Sequence, residues 1–339
     1  MKTTEVQQKM QRLIWTVVAA FALAIVLGPI IIPWLKKLKL GKVMYELGPD
    51  HAAKAGTPQM GGIIFALPAL IAAIAFCDKG SDVSLMLMCV VSALGFGLIG
   101  FIDDFLKVKK HASEGLTPKQ KLAPQIVLSI GLAVWAYLRQ DIGSSLTVPF
   151  VNVEWNLGWF YIPVMVFILV GTVNSANLLD GLDGLLGGCA LFDFVTMVII
   201  CLTLAAANPI RGGSILNVAI FGGAMAGGII GFLQYNSHPA RVFMGDVGSF
   251  FIGGALVGMT LVTRLSMLLP IIALAMFMSS VSDLIQFAYF RATHGKRFFR
   301  MAPLHHHFEK CGMPETKIVA MYYIVTVMLC LLTLLGFVA

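Results

Sequence analysis

Apolar residues in this chain fall into ten long runs, and most charged residues lie between them. The runs cover roughly 13–34, 62–77, 83–102, 124–138, 158–175, 185–206, 214–235, 249–264, 267–290 and 317–338. A helix that crosses a bilayer needs about 20 predominantly apolar residues, and most of these runs come close to that length. The pattern predicts an all-α integral membrane protein of about ten transmembrane helices. They leave no room for a large soluble domain, so one polytopic domain over 1–339 is expected. The first run is too long and too uninterrupted for a cleaved leader, and no small-residue cleavage site follows it; a retained helix is expected. Segment 139–157, with Asp141 and Glu154, reads as a structural cap or hairpin without chemistry. Gly223 and Gly227 have the small-xxx-small spacing of close helix contact.

Composition agrees. The chain is 58% hydrophobic and 12% charged, too apolar for a soluble domain. Its net charge of +7 could suit nucleic acid, but the distribution of the charge points to membrane topology instead. Alternate loops share a side, and the Lys and Arg residues divide 17 against 7 between the two sides. The richer set is expected in the cytoplasm, which puts both termini outside. The six cysteines show no CxxC spacing and read as free thiols acting as small hydrophobes.

Five aspartates stand at the mouths of apolar runs: Asp103 and Asp104 in FIDDFLK, Asp180 and Asp183 in NSANLLDGLDG, and Asp246 in FMGDVGS. An aspartate at the centre of a membrane helix costs roughly 2.5–3.5 kcal/mol, so such groups usually mark function. All five fall on the richer side, as does the loop APLHHHFEK. Asp103 and Asp104 point about 100° apart on a helix. One can face a metal or substrate and the other a cation; an interfacial ion pair with Lys107 is the plainer alternative. Asn177, Asp180 and Asp183 are spaced by three, which predicts a polar ladder on one helical face suited to ribose, a base edge or a metal-bound phosphate. A helix cap is the alternative. Asp246, among glycines, is a candidate Mg²⁺ ligand or an N-cap. His305, His306 and His307 lack the i, i+4 spacing of a helical zinc site and suit an anionic substrate, or a solvated basic loop. KAGTPQMGG reads as a turn with phosphate-facing amides, with Lys54 close by.

Taken together, DDFLK, NSANLLDGLDGL, FMGDVGS and MAPLHHHFE, in this order, resemble the phospho-N-acetylmuramoyl-pentapeptide transferase family, over about Lys54 to Glu315. The resemblance implies ten membrane helices, a cytoplasmic active site in a bacterial cell membrane, Mg²⁺ dependence and a homodimer, with no nucleic-acid partner. It implies transfer of phospho-N-acetylmuramoyl-pentapeptide from its UDP donor to undecaprenyl phosphate, releasing UMP. By motif, Asp103, Asp104, Asp246 and His305 are the catalytic expectations and Asp246 the metal ligand. Lys54, Lys107, Lys121, Asn177, Asp180, Asp183, Asn236, Phe243, His306 and His307 are the substrate-binding expectations. Gln59 and Leu179 depart from the family's usual residues, and Asp193 and Asp283, deep in apolar runs, receive no role. Two rivals remain: a transferase of N-acetylglucosamine phosphate, and an ion-coupled transporter, against which the absence of evident repeats weighs.

Overall fold

The structure, a computed structural model, describes residues 2–38, 56–110, 115–151, 153–208 and 210–338. Lys54 lies outside the described residues. The helices are α1 (Lys2–Lys37), α2 (Ile63–Phe76), α3 (Ser84–Lys110), α4 (Pro118–Leu138), α5 (Tyr161–Leu179), α6 (Leu185–Ala207), α7 (Gly212–Asn236), α8 (Gly245–Val262), α9 (Leu269–Ile272), α10 (Leu274–Ala292), α11 (Leu304–Lys310) and α12 (Glu315–Val338).

Every predicted run falls on one of these pieces. Among the described residues, eight helices are long and apolar enough to cross a membrane. The other two runs differ from simple spans. Helix α2 has only 14 residues, and the run at 267–290 is broken at Ala273, where its two halves bend by 82°. Pro270 stands in the short helix just before the break, inside a run that otherwise reads as continuous.

The bundle is apolar inside and out, as a lipid solvent requires. Helices α7 and α8 form its centre and are almost wholly buried, whereas most of α1 is exposed. Leu87, Leu94 and Leu98 on α3 remain exposed, facing where hydrocarbon would lie. Helix α1 lies tightly on α7 because Gly223, Gly227 and Gly231 present no side chain to it. A Cβ at Gly223 would come within 2.6 Å of Leu13 Cδ1, and one at Gly227 would overlap the Val17 carbonyl. That is the small-residue contact expected from the spacing. Helix α4 starts on a capping box, in which Thr117 accepts from the Gln120 amide and Gln120 returns the bond.

Between α4 and α5 the chain forms an antiparallel hairpin of β1 (Ser145–Val148) and β2 (Val153–Asn156), with Ser145 opposite Asn156 and Val148 opposite Val153. It lies at the end of the bundle where α3 begins, opposite to the end that carries Asp103 and Asp104.

Candidate active site

Helices α3 and α8 form the most extensive pairing in the bundle. Small residues permit it: a Cβ on Gly100 would overlap the Asp246 carbonyl, and one on Gly254 would come within 2.8 Å of the Ser92 carbonyl. Asp103 and Asp104 follow Gly100 by about one turn, so the same close approach sets them beside the first turn of α8. Carboxylate oxygens of Asp103, Asp104 and Asp246 lie within 4.8 Å of one another.

Lysines hold this cluster together. Lys107 Nζ is 2.7 Å from Asp103 Oδ2, 3.3 Å from Asp104 Oδ1 and 2.8 Å from Asp246 Oδ2. Lys121 Nζ, from α4, is 2.6 Å from Asp246 Oδ2 and 4.6 Å from the centre of the Phe250 ring. The plain i, i+3 ion pair between Lys107 and Asp104 is therefore only part of the arrangement, because the ammonium bridges three carboxylates. With all five groups ionised, the cluster carries one net negative charge. Asn177 donates from Nδ2 to Asp246 Oδ1 at 2.8 Å and to Ser249 Oγ at 3.0 Å. Backbone amides take one oxygen from each of the paired aspartates: Leu116 donates to Asp103 Oδ1 at 2.7 Å and Val247 to Asp104 Oδ2 at 3.1 Å.

Asp246 does not cap its helix. The N-cap of α8 is Met244, and the Asp246 side chain turns to the lysines and Asn177. Gly245 makes that turn at φ +74°, and a Cβ there would come within 2.6 Å of Asp104 Oδ2. A side chain would be strained in backbone and crowded in space alike. Two of the TPQMGG amides are committed as well. Gly61 and Gly62 donate to the Phe243 and Met244 carbonyls at 2.8 and 2.9 Å, and Phe243 donates to the Pro58 carbonyl at 2.8 Å. The expected phosphate-facing turn is thus corrected: at these two positions it is a clamp on FMGD. The Phe243 ring itself remains partly exposed.

The polar ladder is also corrected. Helix α5 ends at Leu179, Asp180 is its C-cap, and Gly184 at φ +76° starts the next helix. The two glycines of DGLDG break the helix that the spacing assumed. Asn177 therefore faces Asp246 while Asp183 faces away, its Oδ2 accepting the Ala240 amide at 3.0 Å and lying 3.2 Å from His238 Nδ1. Asp180 remains half-buried at the turn. Asn236, expected in a nucleotide pocket, is buried with both ends engaged. Its Oδ1 accepts the Gly184 amide at 3.2 Å and its Nδ2 donates to the Val242 carbonyl at 3.0 Å. It joins two loops.

The three histidines separate in role. His305 is fully buried, and neither ring nitrogen has a hydrogen-bond partner among the described residues. Burial holds its imidazole well below the ordinary histidine range, so it is neutral. Its ring packs on Gly181, where a Cβ would overlap Nε2. His305 thus packs under the DGLDG turn, with Nε2 beside the loop that carries Asp180 and Asp183. His306 Nδ1 is 2.6 Å from Glu309 Oε2, and His307 Nδ1 accepts the Arg300 amide at 3.1 Å. Three participants were missed from sequence: Ser249, His238 and Glu315, whose Oε1 accepts the Asp183 amide at 2.7 Å. Of the two residues without a role, Asp283 is half-buried. Asp193 is fully buried, and the Cys330 thiol lies 3.9 Å from its Oδ1.

The acidic groups that converge stand at helix ends, unlike a transporter's midplane site. Their oxygen-only donor set could hold a hard dication. Residues 85–264 match the family model of glycosyl transferase family 4. Three similar proteins are each named phospho-N-acetylmuramoyl-pentapeptide-transferase. That of Clostridioides difficile (strain 630) is 43% identical over 96% of this chain and 97% of its own length. That of Desulfitobacterium hafniense (strain DSM 10664 / DCB-2) is 41% identical over 97% and 98%. That of Thermoanaerobacter sp. (strain X514) is 42% identical over 94% and 96%. With its long apolar helices, the chain is a multi-pass protein of the bacterial cell membrane. The glycine-permitted contact of α3 and α8, the clustered carboxylates it creates and near-full-length similarity lead to one assignment: the chain belongs to the phospho-N-acetylmuramoyl-pentapeptide transferases of glycosyl transferase family 4.

Proposed function

We propose that this transferase moves phospho-N-acetylmuramoyl-pentapeptide from a UDP-linked donor to undecaprenyl phosphate, with Mg²⁺ as cofactor. The observation that carries the reading is the convergence of Asp103, Asp104 and Asp246 with Lys107 and Lys121 at one end of the bundle. Two anionic reactants must meet, one of them anchored in lipid. A site at a helix mouth lets a lipid phosphate enter along the membrane and a nucleotide arrive from water.

In the transfer, an oxygen of the lipid phosphate bonds to the β-phosphorus of the donor. The bond from that phosphorus to the UMP oxygen breaks, and the electron pair leaves with UMP. Lys107 and Lys121 screen the repulsion between the phosphates and stabilise charge on the leaving group. Asp103 and Asp104, each with one oxygen tied to a backbone amide, orient or deprotonate the lipid phosphate. Asp246, with Asp103 and Asp104 beside it, would hold the Mg²⁺, which supplies charge neutralisation for the diphosphate when bound. Asp180 and Phe243 border the nucleotide side, His306 and His307 the sugar-diphosphate side, and Lys54 is a further substrate-facing lysine. A single domain, a cytoplasmic site and a homodimer belong to the same proposal.

The test is UMP release from UDP-N-acetylmuramoyl-pentapeptide, with and without undecaprenyl phosphate and Mg²⁺. Turnover needing all three supports the reading. Preferential turnover of UDP-N-acetylglucosamine would move the chain to the sister transferases, and solute uptake without UMP release would make it a transporter.

A further inference from the structure

Five residues, Asp180 to Gly184, connect α5 to α6, and three residues from two distant helices grip them. From the end of α7, Asn236 accepts the Gly184 amide. From α12, Tyr323 donates its hydroxyl to the Gly184 carbonyl at 2.7 Å. Glu315, the first residue of α12, accepts the Asp183 amide at 2.7 Å through Oε1, and its Oε2 lies 3.4 Å from His238 Nδ1. The same imidazole nitrogen is 3.2 Å from Asp183 Oδ2. One imidazole therefore sits between two carboxylates that reach it from separate helix ends.

This turn follows Asn177, which contacts Asp246, so its backbone path decides how the Asp180–Gly184 segment stands against the acidic cluster. A peptide amide held by a charged acceptor is geometrically restrained, and removing that acceptor frees the turn without touching the cluster. Glu315 is set by its helix and Asp183 by its loop; neither the Lys107 nor the Lys121 contacts involve them.

We propose that Glu315, supported by His238, is a positioning residue for the nucleotide half of the donor: through the Asp183 amide it sets the Asp180–Gly184 turn. The proposal rests on the transferase reading above and adds to it a division of labour. The start of α12 governs donor binding, while the α3–α8 cluster governs transfer.

The experiment compares full-length wild type, Glu315→Ala, Glu315→Gln and His238→Ala in UMP release, varying donor and undecaprenyl phosphate separately. Losing one charge-assisted hydrogen bond is expected to raise the donor KM about tenfold in Glu315→Ala. The KM for undecaprenyl phosphate stays within about twofold, since no lipid contact is lost. Glu315→Gln keeps an oxygen for the Asp183 amide and recovers most of the loss. His238→Ala, at a partly exposed side chain, moves the donor KM in the same direction by less. A fall in kcat with donor KM unchanged, or equal damage from Ala and Gln, would overturn the proposal. Should Glu315→Ala fail to fold, Glu315→Gln and His238→Ala decide: an unmoved donor KM in His238→Ala overturns it. A wild-type enzyme that releases no UMP would instead overturn the transferase reading, and this proposal with it.

Discussion

Two charged clusters at opposite ends of α3 use the same ingredients differently. At one end, Asp103, Asp104 and Asp246 converge on Lys107 and Lys121, with the paired aspartates only 3% and 1% exposed. At the other end carboxylates and guanidiniums alternate. Arg139 Nε lies 2.8 Å from Asp141 Oδ1, Arg264 lies 3.3 Å from Glu154, and Arg12 lies 2.8 Å from Asp78. There Asp82 and Glu154 are 56% and 59% exposed. Sites ~28 Å apart, 19 residues along one helix, thus show what separates a reactive cluster from a staple. In the first, carboxylates are forced beside each other and their charge is incompletely matched. In the second, each of these carboxylates has a guanidinium within reach, Arg139 serving both Asp141 and Asp82, and solvent screens the rest.

The strongest way to break this comparison is to remove one member of the convergent set. Asp246→Asn keeps the size and loses the charge on which both lysines close. Turnover is expected to fall by at least about 10²–10³-fold, on the scale of losing one preorganised charge contact. UMP release at matched protein levels checks this, and near-normal turnover would remove Asp246 from the mechanism. Asp103→Asn is expected to fall in the same range.

Lys107 offers a sharper probe, because its ammonium lies among the oxygens that would hold a dication. Lys107→Gln is expected to lower turnover on the order of 10²-fold. The same variant removes one positive charge beside the carboxylates, so its affinity for Mn²⁺ should rise about tenfold. Mn²⁺ titration followed by electron paramagnetic resonance reads that binding without any turnover. Weaker Mn²⁺ binding would mean that Lys107 builds the cation site and does not compete with it.

Much of this arrangement was legible in the sequence. Long apolar runs predict helices because the bilayer admits few other backbones. Parity of the loops placed FIDDFLK and FMGDVGS at the same end, and there α3 and α8 bring Asp103, Asp104 and Asp246 together. What failed to show was local. The i, i+3 spacing of Asn177, Asp180 and Asp183 suggested one face because periodicity cannot see the left-handed Gly184. The break at Ala273 comes just after Pro270, but the apolar run continues through it and hides the bend. Nor could spacing reveal that Glu315 meets an amide 132 residues earlier, since that contact depends on how α12 returns to the bundle.

Gly181 tests whether the turn beside the cluster is as tightly specified as the cluster itself. A Cβ there would overlap His305 Nε2 and come within 3.0 Å of His306 Nε2. Gly181→Ala is expected to cost about 1–3 kcal/mol through overpacking, read as a lowered Tm in detergent. Wild-type stability should also fall as pH drops below about 6.5, because buried His305 stays neutral while the unfolded chain takes up a proton. His305→Asn should flatten that part of the profile.

The paired end supplies the smallest effect and the cleanest contrast. Arg139→Ala removes Nε and a terminal nitrogen from Asp141, at 2.8 and 3.0 Å, and a 3.4 Å contact to Asp82. These groups are partly solvated, so the expected loss is about 1 kcal/mol or less, shrinking further in salt. Hydrogen bonds from Arg139 hold the Asp141 carboxyl below its ordinary range. That contribution is present above about pH 4, the unfolded carboxylate's pKa, and disappears as pH falls through the folded value. Wild type should therefore lose more Tm than Arg139→Ala on acidification below about pH 4. UMP release at neutral pH should stay within about twofold of wild type, since contacts so distant rarely couple. A large loss of turnover in Arg139→Ala, with the protein still folded, would mean that the two ends of α3 are energetically linked, and the division between staple and reactive cluster would fail.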